Sequence, residues 1–507
     1  MALIHILLFI VVILFLLYKV QPQYVARWLD KVRGRLPPGP FGLPIIGVTG
    51  ISGQAPWETF TDWAGKYGSP LISFFNGSSF TVVISESDLV KTAMKNPAFD
   101  GRPANHASKE YFGRGIGFTE GDTWKTHRKL VVSSMRFLSG SGNPQMEFDN
   151  HMKKGAWNLV CSFRDASSRE FDPAPFLTQA VADILSFLVF KNALTSDDPR
   201  FNAMINCCER VFSINPNTDV MNLFPFLQSL PSFQKKRAFF AQTHEELFSI
   251  TKSVISTRKA ELDKDKQILS DEAVDFTEAL LKQQTAASTE NAKFLTDVDV
   301  MMMTTELYMA GSQDTKNVLH WILFVLILFP EEQQRLHEYI VEVIGKSRAP
   351  SVFDKEDLPY VEAFILETQR FSSSMPFPLP HRTVVDTTLG GYLIPADTTV
   401  IINAFAVNND RALWNDPEIF RPNRFMGKDG KLNQLISKTT GFGEGRRRCP
   451  GEQIARIVLI VFLTTLVQNI KLVHPEGYTL PPVTRTNGTS SQPPFFEISV
   501  NMRDVQH

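Results

Sequence analysis

The chain is poor in cysteine, in tyrosine and tryptophan, and in net charge. Four cysteines in 507 residues, Cys161, Cys207, Cys208 and Cys449, do not form a disulfide framework and point to a reducing compartment. Cys207 and Cys208 are adjacent and read as buried small hydrophobes. Lys plus Arg (52) against Asp plus Glu (53) leaves −1, which excludes bulk nucleic-acid binding through a strong positive field. Tyr (9) and Trp (7) are few beside Phe (40), so most of the large side chains lack a polar handle and suit an extensive apolar interior. With 43% apolar and 21% charged residues, a disordered, collagen-like or polytopic membrane chain is excluded. No stretch beyond residue 41 reads as a domain linker, and no internal repeat is visible.

Ala2 to Tyr18 contains no Asp, Glu, Lys or Arg, a length at the short end of the ~17–25 residues that span a bilayer. A cleaved signal peptide would carry a basic start and a small-x-small site; neither is present, so the expectation is an uncleaved anchor. Lys19, Arg27, Lys31, Arg33 and Arg35 follow it and put the body on the cytosolic side. The sequons at Asn76 and Asn487 should then stay unmodified. Leu36-Pro37-Pro38-Gly39-Pro40 cannot continue a helix and reads as a stiff spacer. The expected organisation is an anchor over 1–20, a basic, proline-rich hinge over 21–40 and a catalytic domain over 41–507.

The body reads as mainly α with a smaller β part. A helix over about Asp297 to Phe329 is apolar on most sides and therefore buried, yet its middle is Ala310-Gly311-Ser312-Gln313-Asp314-Thr315. That break is either a kink with satisfied polar groups or a groove against a cofactor. A second helix, about Tyr360 to Phe371, puts Glu367 and Arg370 three apart on one face among apolar neighbours. A third follows Gly451, with an almost wholly apolar run from Ile454 to Val467. Strands are expected at Thr383–Val385, Tyr392–Pro395 and Thr398–Ile402, with Gly390-Gly391 turning between the first two. Ser139–Pro144 and the polar stretch Asp263–Asn291 read as surface loops or exposed helix faces.

The segment carrying chemistry is Phe442-Gly443-Glu444-Gly445-Arg446-Arg447-Arg448-Cys449-Pro450-Gly451. A cysteine at the end of a Gly-rich loop and the start of a helix, beside three arginines, favours a thiolate. No Cys or His partners lie nearby in sequence, so a zinc site is excluded, and a thiolate nucleophile lacks an evident base. Thiolate ligation of haem fits best.

These residues resemble the haem-binding signature of cytochrome P450 monooxygenases: Phe442, Gly445, Arg447, Cys449 and Gly451 stand at the family's spacing. Glu367-Thr368-Gln369-Arg370 resembles its E-x-x-R motif, Trp124 and Arg128 its W-x-x-x-R, and the anchor and proline hinge its microsomal branch. The resemblance implies haem b with Cys449 as the metal ligand, Phe442 shielding it, and Trp124, Arg128, Arg382 and Arg447 serving the propionates. Ala310 and Gly311 would approach the cofactor. Glu367, Arg370 and Arg424 would form a buried triad. Asn423 stands where the family often has Glu, and this puts its outer contact in question.

The central helix departs from the family's small-Gly-x-acid-Thr, whose acid–alcohol pair relays protons during oxygen activation. In register, Gln313 takes the acid position and Asp314 the alcohol position, with Thr315 one residue later. Three readings follow: Asp314 and Thr315 act after a local bulge; Asp314 relays protons itself; or oxygen activation is altered for an unusual or pre-oxidised substrate.

The resemblance also places substrate walls at Phe112, Ile116, Phe118, Leu307, Ala310, Phe377, Leu379 and Thr489, which implies a hydrophobic small molecule. Arg114 lies among them and reads as a solvated charge. Pro380-His381-Arg382 and Gly390-Gly391-Tyr392 resemble the animal microsomal group of drug, steroid and arthropod-hormone enzymes, with an arthropod terpenoid or similar lipid as the expected substrate. The implied partners are NADPH-cytochrome P450 reductase, cytochrome b5 and membrane lipid at the endoplasmic reticulum, with Arg446, Arg448, Lys125 and Lys129 as docking candidates. A reductase-independent isomerase or dehydratase, and a non-catalytic haem-binding protein, are the rival functions.

Overall fold

The computed structural model describes residues 22–503 apart from 43–46, 49–50, 52–54, 78, 104–112, 136–142, 214–220, 222–229, 265–272, 287–292, 476 and 478. The anchor expected over Ala2–Tyr18 and the substrate wall expected at Phe112 lie outside the described residues.

The fold is mainly helical, with a small mixed sheet at one end. In that sheet Leu71–Asn76 pairs antiparallel with Ser79–Ile84, which runs parallel to Thr399–Ile402; His381–Arg382 closes the far side. The two-residue alternation of strands sends Val82, Ile84, Val400 and Ile402 to one apolar cluster and Val83 and Ile401 to another, so both faces are covered. The proline segment docks on this sheet: the Ser73 N–H donates to Pro38 O at 2.7 Å, and Lys31 donates to the carbonyls of Pro40 and Ser73. Lys31 is therefore buried, not a free basic residue beside a membrane, and burial without a carboxylate pushes it down to about 7.

Three expected helices form, at Asp297–Leu328, Pro359–Ser372 and Glu452–Asn469. The first opens on a capping box: Thr296 Oγ1 accepts from the Asp299 N–H while Asp299 accepts from the Thr296 N–H at 2.8 Å. It stops at Phe329, because Pro330 disfavours helical backbone in the residue before it. It is continuous α-helix through residues 310–315, without the π-bulge that the sequence allowed. Gly311 serves packing there: a Cβ would come within 2.7 Å of Leu185 on the neighbouring helix Ala174–Phe190. The stretch Ala174–Ala193 and helix Glu452–Asn469 are both apolar enough to cross a membrane by length and composition, and both contribute to the main apolar core.

Three expectations fail. Thr383–Val385 is not a strand; Val384 and Val385 are exposed, and the hairpin is Thr387–Leu389 with Tyr392–Ile394, turned by Gly390 and Gly391 at positive φ. Residues 139–142 lie outside the described residues, Asn143 is on an exposed helix face as expected, and Pro144 departs by being buried in helix Asn143–Ala166. Within the polar stretch, helix Phe276–Ala286 buries Phe276 through Leu281, and Asp275 and Glu278 hold Arg258 at 2.8 Å each.

Candidate functional site

One large cavity lies between the central helix, the Cys449 loop, the helix Gly121–Ser134 and the C-terminal loop. Cys449 lines it and is exposed. Its backbone N–H donates to Phe442 O at 2.9 Å and closes the loop. Burial pushes the thiol up to about 11, and a hydrogen bond from the Gly451 backbone opposes that. The neighbouring arginines do not produce a free thiolate as the sequence suggested. Arg446 turns to Asp100 at 2.7 Å, Arg448 to Glu452 at 2.5 Å, and Arg447 to backbone carbonyls of Asp100, Ile116 and Thr119. Deprotonation must come with metal ligation, since thiol ligands lose their proton on binding.

The loop's glycines are not equivalent. Gly443 and Gly451 line the cavity. Gly445 does not; its φ is +65°, and a Cβ there would come 2.0 Å from Met94 O. It lets the loop lie against the helix Ser87–Lys95. Gly445→Ala combines a left-handed backbone with a backbone clash and should cost on the order of 1–3 kcal/mol. A lower urea midpoint with weaker haem retention is the expected readout.

A cationic wall stands on one side of the cavity. Trp124, Arg128 and Arg447 line it as expected, with the Arg447 guanidinium 3.9 Å above the Trp124 ring. Two wall residues were not expected from sequence: the cation Arg102 and His381, an imidazole that burial keeps neutral. Arg102 is buried and donates to Gly117 O at 2.8 Å and Pro380 O at 2.8 Å, and His381 is fixed by Phe99 O at 2.9 Å. Arg382 is not among the cavity-lining residues. Adjacent strand residues face opposite ways, and Arg382 pairs instead with Glu120 at 2.5 Å and with Asp397. Arg447 is lowered to about 9 by burial and by the nearby Arg102 charge. Half-buried Arg128 has no hydrogen-bond partner among the described residues. Mutually repelling cations with one orphan guanidinium suit a ligand bearing carboxylates. With a sulfur and the small Ala310 and Gly311 lining the same cavity, the donor set fits haem.

On the central helix, Asp314 and Thr315 line the cavity; Gln313 is buried but is not among the cavity-lining residues. No bulge is needed to bring Asp314 and Thr315 there. Burial pushes Asp314 up to about 6, opposed by a hydrogen bond with Ser490 and by Lys316. Its Oδ1 has no partner, and Ser490 also accepts from Asn317 Nδ2 at 2.6 Å. Asn317 and Ser490 were not singled out in the sequence. The expected substrate walls Ile116, Phe118, Leu307, Ala310, Phe377, Leu379 and Thr489 all line the cavity. Arg114 lies 3.8 Å from Asp299 and is largely exposed, as a solvated charge should be.

Below the site, Glu367 accepts from Arg370 Nε at 2.7 Å and Nη2 at 2.8 Å and from Arg424 Nε at 2.9 Å. The Arg421 backbone N–H adds a fourth contact at 2.9 Å, so the carboxylate is saturated without Asn423.

A family model described as Cytochrome P450 matches residues 37–500. The chain is 32% identical to cytochrome P450 1A1 of Sparus aurata over 457 residues, 87% of this chain and 86% of that one. It is 30% identical to cytochrome P450 1A1 of Canis lupus familiaris over 473 residues, 89% and 88% of the two chains. To cytochrome P450 18a1 of Drosophila melanogaster it is 28% identical over 488 residues, 95% and 90%. The match spans the sheet, the cationic wall, the central helix and the cysteine loop alike, and the chain belongs to the cytochrome P450 family, as a haem-thiolate monooxygenase supplied with electrons from NADPH through a reductase.

Proposed function

We propose that Cys449 is the axial thiolate of that haem, that Arg102, Trp124, Arg128, His381 and Arg447 hold its propionates, and that Asp314 is the proton relay for oxygen insertion into a hydrophobic small molecule. When bound, haem supplies the oxygen-activating chemistry, tuned by its thiolate ligand. The protein's residues do the rest. Apolar walls at Ile116, Phe118, Leu307, Phe377 and Leu379 hold the substrate and exclude water. Asp314, buried and tied to Ser490, can carry a proton near neutral pH at a fixed position. The observation that carries the relay is a buried carboxyl with an unpartnered Oδ1 on a residue that lines the cavity. Thr315, beside it on the same wall, is the second candidate.

Asp314→Asn keeps the shape and the Ser490 contact but removes the acid. The expected result is a loss of about 10²-fold in product formed per unit time, with NADPH use uncoupled from product. The thiolate-type spectrum should persist. In the parent enzyme the coupled rate should fall as pH rises through about 6, because a donor must be protonated, and the variant should lack that limb. Full coupled turnover in Asp314→Asn would remove Asp314 from the mechanism.

The residues before Pro22 supply the anchor in this reading, at the endoplasmic reticulum with the catalytic body in the cytosol, as Lys19, Arg27, Arg33 and Arg35 support. The reductase, with cytochrome b5 as a second donor, docks near Lys129, Lys125, Arg446 and Arg448. Lys125, Arg446 and Arg448 already face Asp122, Asp100 and Glu452, so their long-range attraction is partly neutralised. A terpenoid or similar lipid is the substrate the apolar walls suit.

A further inference from the structure

Another cleft, of about 320 Å³, lies at the far end of helix Glu452–Asn469 from the Cys449 loop. Helix Pro330–Val343 and the strand pair Ile470–Val473 with Ser499–Met502 complete it. Lys346, Lys471 and Arg503 are its charged lining residues, with His337 beside them, and none of its described lining residues is acidic. Lys471 stands directly across from Asn501 in the strand pair, so both side chains leave from one face. Lys346 and Lys471 are exposed, so a solute can reach both ammonium groups.

Cations gathered without a counter-charge repel one another. Neither Lys346 nor Lys471 makes a hydrogen bond or ion pair among the described residues. Arg503 donates Nε to Ile470 O at 3.1 Å and Nη1 to Gln334 Oε1 at 3.4 Å. Both acceptors are neutral, so its charge is fixed in place but not balanced. Burial lowers Arg503, and no carboxylate opposes that. Glu338 acts on His337, but it is not among the lining residues and accepts from Gln334 at 2.9 Å. His337 Nδ1 lies 3.0 Å from Val467 O; burial, then the charges of Arg503 and Lys346, lower its pKa, so it is not a fourth permanent cation. Helix ends attract cations, but the carbonyls here are already served. His337 meets Val467 O, and Gln468 donates to Gly345 O at 2.8 Å and Arg348 O at 3.0 Å. Lys346 and Lys471 are surplus to that need.

We propose that this cleft binds a phosphate monoester, with the Lys346 and Lys471 ammonium groups as direct contacts and the fixed Arg503 charge behind them. A phosphate monoester carries about −1.5 to −2 charge at pH 7 and three acceptor oxygens. A single carboxylate would leave two of the three cations unbalanced. Lysines also suit a phosphate as mobile point charges, where a flat carboxylate favours the fork of an accessible arginine. The 18 residues of helix Glu452–Asn469, at ~1.5 Å each, put roughly 27 Å between this cleft and the start of that helix beside Cys449. The site is therefore separate from the substrate cavity and stands without the haem reading.

The test is equilibrium dialysis of the full chain in detergent against radiolabelled inorganic phosphate at constant ionic strength. One saturable equivalent per chain is expected, displaced by sulfate and not by acetate or chloride. Lys346→Gln combined with Lys471→Gln should weaken binding by about tenfold or more, the worth of a hydrogen bond to a charged group. Lys252→Gln combined with Lys428→Gln removes two exposed lysines elsewhere, changes the net charge equally, and should leave binding as it was. Absence of saturable binding, equal loss in the two paired variants, or displacement by acetate as readily as by sulfate overturns the proposal. Should the first pair fail to fold, Lys346→Gln and Lys471→Gln decide singly, and undiminished binding in both overturns it. Soluble metabolites and lipid headgroups share this chemistry, and competition separates them. Displacement of the label by a short-chain phosphatidylinositol phosphate at lower concentration than by its deacylated headgroup supports the site with a lipid source. Equal potency supports it with a soluble one.

Discussion

Cys449→Ala should lose the thiolate-type Soret band of the reduced, CO-treated protein and, with it, NADPH-coupled oxygenation, by about 10³-fold or more, equivalent to about 4 kcal/mol of transition-state stabilisation. The size of the effect follows from the lack of a substitute. Among the described residues no other cysteine lines the cavity. Cys207 and Cys208 are buried in helix Pro199–Phe212, with Cys207 pushed up to about 12 by burial and Cys208 also raised. Cys161 lies on helix Asn143–Ala166. None can replace the lost sulfur, and alanine leaves the loop's backbone contact to Phe442 O untouched. The variant should therefore remain folded, with a far-ultraviolet spectrum like the parent's. Cys207→Ala and Cys208→Ala should leave the band in place. A thiolate-type band in folded Cys449→Ala would refute the assignment of the ligand.

The parts of the site that the sequence disclosed are those whose members lie close together along the chain. The cysteine loop is ten consecutive residues, and Glu367 and Arg370 are one helical turn apart, so spacing alone puts each group on one face. The central helix was legible for the same reason: Thr296 and Asp299 cap its start and Pro330 follows its end. The cationic wall was only half legible. Arg102 precedes a loop and His381 sits on a two-residue strand, and neither carries a local pattern; the strand pairing across the sheet brings them together. His381, and not Arg382, lines the cavity, because a step of one residue along a strand reverses the face. Thr383–Val385 misled because β-branched residues favour strands only where neighbours pack against them, and here Val384 and Val385 are exposed. Glu306, which lines the cavity and accepts from the Ile116 and Gly117 N–H groups, passed unnoticed because those partners lie some 190 residues earlier in the chain.

The largest stability effect should come from the Glu367 cluster. Glu367 and Arg370 are both fully buried, and one carboxylate receives three guanidinium hydrogen bonds and a backbone N–H. Arg370 and Arg424 spend their remaining donors on carbonyls: Asn408 for the first, and Trp414, Asp416 and Ile419 for the second. These bonds tie helix Pro359–Ser372 to the segment that leads into the cysteine loop. A pair this deep contributes little net stability over a well-packed apolar replacement, because desolvation offsets most of the attraction. Removing one partner is different. Glu367→Ala leaves two cations buried without a counter-charge, and the expected loss is about 3–5 kcal/mol. Against a typical total of about 5–15 kcal/mol, such a loss depletes the folded population severely. Arg370→Lys keeps the charge but cannot make the two-pronged contact, and should cost less. The measurement is the half-life of the thiolate-type band against temperature, which suits a large protein whose unfolding is not reversible. The order should be parent, then Arg370→Lys, then Glu367→Ala. If Glu367→Ala were as long-lived as the parent, the cluster would be a bystander. The rigidity of the loop beneath Cys449 would then have to come from Gly445 and the Arg447 contacts alone.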